Sequence, residues 1–89
     1  MARIASEDPG FADIAGNGAT ADILFELGMM YCIGREVTKD YVTAHKWFNL
    51  AALKGSEDAK IYRRELAQEM SASEIAEAQR QARSWLTLH

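Results

Sequence analysis

Cysteine is all but missing from this chain: Cys32 stands alone among 89 residues. That excludes an internal disulfide, and small secreted domains more often carry several cysteines. Long apolar runs are missing too, none approaching the roughly 20 residues needed to span a bilayer. The start of the chain lacks a basic region followed by an apolar run, so it does not read as a secretory signal. A reducing, cytoplasmic setting is the expectation. Nor is there an excess of positive charge. Lys and Arg number 10 against 13 Asp and Glu, for a net charge of -3. Nonspecific binding to nucleic acid or to an anionic membrane needs a basic surface, so neither partner is expected.

The reactive inventory is equally thin. Cys32, His45 and the terminal His89 are the only soft or imidazole ligands, and no two have paired spacing, so no metal site is expected. Cys32 and His45 are also the only candidates for a nucleophile and its base. No third orienting group and no oxyanion loop accompany them. A free cysteine commonly packs as a small hydrophobe, and His45 sits beside an apolar helix face. The early glycines do not fall between a strand and a helix, so no phosphate-cradling loop is present. These absences predict no enzyme and no cofactor.

What the chain does contain is packing information. Hydrophobic residues make up 48% and charged residues 26%, which is ordinary for a soluble globular protein. A chain this short buries only about 60% of the surface its unfolded form exposes. The informative stretch runs from Leu27 to Ala59. Gly28, Ala44, Ala51, Ala52 and Ala59 fall where two helices would touch, with Tyr31, Tyr41, Trp47 and Phe48 one turn away. Small residues let helix axes approach, and the aromatics fill the remaining groove.

The spacing of Leu27-Gly28, Tyr31, Gly34, Val37, Asp40, Ala44, Trp47-Phe48, Ala51-Ala52, Gly55 and Ala59 resembles the Sel1-like repeat, a relative of the tetratricopeptide repeat. Two positions depart from the family pattern. Glu36 stands where a second turn glycine is usual, and Ile23 where an alanine is expected. The resemblance implies a helical scaffold that binds other proteins, and it implies no catalytic residues.

Taken in order, residues 1–18 read as an irregular arm. Pro9-Gly10 and Gly16-Asn17-Gly18 are turn signals, and Phe11 and Ile14 are placed to lie on the first helix. The alternative is the worn tail of an earlier repeat. A first helix is predicted from Thr20, its N-cap, to Ile33, with Gly34 ending it. A second is predicted from Asp40 to Lys54, with Gly55 as its C-cap. Val42, Leu50 and Leu53 fall off its apolar face and read as scattered surface residues. A third is predicted from Ser56 to Met70, with Ala59, Tyr62, Leu66 and Met70 inward. Ser71-Ala72-Ser73-Glu74 is a capping box that opens a fourth, Ala72 to Leu86, with Ile75, Ala78, Ala82, Trp85 and Leu86 on one face.

The expected fold is therefore all-α. A single helical domain over 19–89 holds a Sel1-like repeat at about 20–55 and a degenerate capping hairpin at about 56–87. The two antiparallel helical hairpins stack as a fragment of a tetratricopeptide-like superhelix.

Two surfaces are candidates for contact. The stripe of Phe25, Met29 and Cys32 offers adaptable apolar area, unless the arm covers it. Lys60, Arg63 and Arg64, with Arg80 and Arg83, form the one basic cluster. That cluster either grips an acidic partner or a phosphate, or is a solvated face balanced by Glu65, Glu69, Glu74 and Glu77. A DNA-reading role for the third and fourth helices is opposed by Glu74 and Glu77 at the start of the fourth. The function expected is a protein-interaction module, a small adaptor or scaffold, with Phe25, Met29, Lys60, Arg63 and Arg64 as partner-binding residues. The partner is another protein or a peptide, and a homodimer is the alternative.

Overall fold

The computed structural model describes residues 20–88. The expected arm over 1–18 and the terminal His89 lie outside the described residues. Helix α1 (Ala21–Ile33) begins where Thr20 Oγ1 accepts a hydrogen bond from the Ile23 N–H at 3.2 Å. It ends at Gly34, whose φ of 77° is left-handed, and the Gly34 and Arg35 N–H groups both donate to the Met30 carbonyl. Helix α2 (Tyr41–Leu53) is capped by Asp40, which accepts from the Thr43 N–H at 3.2 Å and the Thr43 hydroxyl at 2.8 Å. Its C-cap is Lys54, not Gly55 as expected. Gly55, with φ 106°, is the left-handed residue just beyond, and it lets the Ser56 N–H return to the Ala51 carbonyl.

Helix α3 (Glu57–Ala67) is capped by Ser56, whose Oγ accepts from the Ala59 N–H at 3.0 Å. It stops at Ala67 rather than Met70. The N–H groups of Gln68, Glu69 and Met70 bond three residues back, to Glu65, Leu66 and Ala67. That tighter winding brings Met70 against the core. Helix α4 (Ala72–Leu88) opens on the expected capping box and runs past Leu86. The Glu74 N–H donates to Ser71 Oγ at 3.1 Å, and the Ser71 N–H donates to Glu74 Oε1 at 2.8 Å. Among the described residues the fold is all-helical.

Helix α2 is the element the others share. Helices α1, α3 and α4 each pack on it and touch one another only lightly. The second pair is therefore an open V astride α2, where a closed hairpin was expected. Its helices turn their apolar faces to α2: Ala59 and Leu66 of α3, and Ala78 and Ala82 of α4, are buried. This enclosure explains one departure from the sequence reading. Leu50, expected at the surface, is 1% exposed, because α2 has neighbours on three sides. Leu53, in contrast, is 69% exposed.

Aromatic rings join the layers. Phe48 is fully buried on α2, with Phe25 of α1 at 5.7 Å and Tyr62 of α3 at 5.9 Å between ring centroids. Trp47 of α2 meets Trp85 of α4 edge-on at 5.6 Å, and Lys46 Nζ lies 4.5 Å from the Trp47 ring centre. Phe48, Leu24 and Leu50 are the largest fully buried side chains. Burial of each such side chain contributes about 1.5–3 kcal/mol.

Candidate partner-binding groove

The divergence of α3 and α4 leaves a furrow between them, floored by α2. Helical spacing builds each side. His45, Asn49 and Leu53 recur every fourth residue along α2 and form the floor and one end. Lys60, Arg63, Arg64 and Ala67 form the α3 wall, and Ile75, Gln79, Ala82, Arg83 and Leu86 form the α4 wall. The furrow has two sections of about 420 and 220 Å³ that share Asn49, Arg63 and Gln79.

Its charge is of one sign. No Asp or Glu is among the lining residues. Arg63 Nη1 donates to the neutral Asn49 Oδ1 at 2.6 Å, which ties α3 to the floor. Lys60 pairs with Glu57 at 3.1 Å. Arg64 and Arg83 are exposed and have no ion pair among the described residues. Of the carboxylates expected to balance the basic cluster, Glu77 does so among the described residues, at Arg80, which does not line the furrow. Glu74 caps α4, while Glu77 pairs with Arg80 and accepts from Gln81 Nε2 at 2.8 Å. The hydrogen bond from Arg80 holds the Glu77 carboxyl below its ordinary range. Glu65 and Glu69 are exposed and do not line the furrow.

His45 lies at the bottom. It is 2% exposed, and its Nδ1 is buried without a hydrogen-bond partner. Burial first, and the nearby Arg63 charge second, hold its pKa below the ordinary 6.5. The ring is thus neutral at physiological pH. Cys32 lies on α1 and is not among the furrow's lining residues. Burial pushes its thiol above the ordinary range, with a smaller opposing effect from Lys39, so it is a weak nucleophile.

Of the five expected contact residues, the structure brings Lys60, Arg63 and Arg64 together on one wall. Phe25 and Met29 do not line the furrow. Phe25 is half-buried, its ring against Phe48 and 5.5 Å from Tyr62, and Met29 is half-buried against the core. Sequence reasoning did not single out Asn49 and Gln79, which line the furrow, and it read His45 as packing, in keeping with its burial. The spacing of His45, Asn49 and Leu53 was the available signal, but nothing local says that it faces an opening.

Among the described residues, no group of three or more His, Cys, Asp or Glu side chains gathers to hold a metal ion, and no helix is long and apolar enough to cross a membrane. No family model matches the chain, and neither a curated protein nor a solved structure matches it, so the resemblance to Sel1-like repeats rests on residue spacing alone.

Proposed function

We propose that this protein is a small cytoplasmic adaptor of Sel1-like type, which binds a peptide or protein surface in the furrow between α3 and α4 and has no catalytic activity. The observation that carries this reading is an open furrow with four cationic side chains and no carboxylate in its lining. Sequence reasoning placed the contact along the first and third helices. The furrow supports a contact at α3 and α4 instead, one that includes Lys60, Arg63 and Arg64. A photo-crosslinking residue at Gln79 tests this in the source cells, with Ile33 on α1 as the control position. Protein adducts from position 79 and none from position 33 are expected; no protein adduct from position 79 would overturn the reading.

One observation favours a second reading, self-association. Leu53 and Leu86, 69% and 46% exposed, share the shorter section of the furrow, and Leu88 beyond them is 77% exposed. Such a lip suits a second copy of the chain. Light scattering across a dilution series decides it, because a monomer at every concentration removes this reading.

A further inference from the structure

The furrow is out of step with the charge of the chain. Asp and Glu outnumber Lys and Arg by 13 to 10, yet no carboxylate lines either section. Asn49 positions the Arg63 guanidinium without cancelling its charge. Arg64 and Arg83 stand on opposite walls with no ion pair among the described residues.

An independent observation comes from below. His45 Nδ1 is buried and unpartnered, whereas roughly nine in ten buried polar groups have a partner. The guanidinium groups beside it favour a partner that is polar and negative. Ile75, Leu53 and Leu86 supply apolar ground along the same furrow. A peptide with carboxylates and apolar side chains matches both features. Nucleic acid fits poorly, because no aromatic residue lines the furrow to stack a base.

We propose that the furrow docks an acidic peptide segment of a partner protein, with carboxylates against Arg64, Arg83 and Lys60 and an apolar side chain between Leu53 and Leu86. This deepens the adaptor reading and rests on it. A carboxylate above His45 stabilises the imidazolium, so occupancy raises the affinity of His45 for a proton.

The test is fluorescence anisotropy on the full chain. The probes are a labelled peptide alternating Glu and Leu, the same peptide with Gln for Glu, the same with Lys for Glu, and a single-stranded oligodeoxynucleotide. The Glu peptide is expected to bind about tenfold or more tighter than the Gln peptide at low salt. Raising salt from about 50 to about 300 mM should weaken it several-fold, and the Lys peptide should not bind. The double variant Arg64→Glu/Arg83→Glu should erase the preference for Glu over Gln. Both positions are exposed, so an unchanged circular dichroism spectrum separates that loss from misfolding.

In an NMR titration, the His45 imidazole should move to higher pKa when the Glu peptide is present. Equal binding of the Glu and Gln peptides, preference for the oligonucleotide, or indifference to the charge reversal would each overturn the proposal. Protein adducts at position 79 without a Glu preference would leave the adaptor reading standing and remove only the acidic specificity. Absence of both would remove the two together.

Discussion

The Phe48 ring occupies the space that a Cβ on Gly28 would need. Its neighbours, Phe25 and Tyr62, lie at 5.7 and 5.9 Å and leave the ring little room to retreat. Alanine favours a helix over glycine by about 1 kcal/mol, but overpacking a close-packed core costs about 1–3 kcal/mol. Gly28→Ala should therefore lower stability by about 1–2 kcal/mol in urea denaturation. Gly28→Ala/Phe48→Leu should be less damaging than the sum of the two single changes, since the shorter side chain vacates the contested space. A stabilised Gly28→Ala variant would refute the close approach.

Glu36 is the one non-glycine residue with positive φ among those described, at 67°. A glycine would take this backbone shape without strain. A side chain in this region costs about 1–2 kcal/mol, and glycine's extra freedom in the unfolded chain offsets about 0.5–1 kcal/mol of the relief. Glu36→Gly should raise stability by about 0.5–1 kcal/mol, while β-branched Glu36→Val should lower it. Thermal denaturation of the three proteins under one buffer should give that order.

Acid should weaken the fold through His45. Its folded pKa lies below the ordinary 6.5, so between the two values the unfolded chain binds a proton that the folded chain does not. The contribution is complete above about pH 6.5 and is lost as the pH falls toward the folded value. Lys60, Arg63 and Arg64, all positive, line the same section of the furrow, and the Arg63 charge adds to the effect of burial. Comparing urea midpoints at about pH 7.5 and 5.5, the wild type should lose more stability than His45→Gln. Equal losses would show that the imidazole is not the group responsible.

Much of the local structure was legible beforehand. Thr20, Asp40, Ser56 and the Ser71–Glu74 pair each satisfy an N–H within three residues, so chain neighbours alone specify those helix starts. The alanines at 44, 51, 52 and 59 proved buried for an equally simple reason: small side chains at helical spacing leave room only for another helix. Leu50 was misread because a single apolar face was assumed for α2. A helix with three neighbours has no single face, and no periodicity in its own sequence reveals how many neighbours come.

The four helices among the described residues, where each begins and which small residues meet could be read along the chain, because those choices depend on groups a few residues apart. That α3 and α4 lie apart on α2, and so which cations share an opening, follows from the packing of whole helices. That choice depends on how three apolar stripes divide the surface of one helix. Arg63 and Arg83 belong to different stripes, twenty residues apart, and only the assembled molecule places them on one furrow.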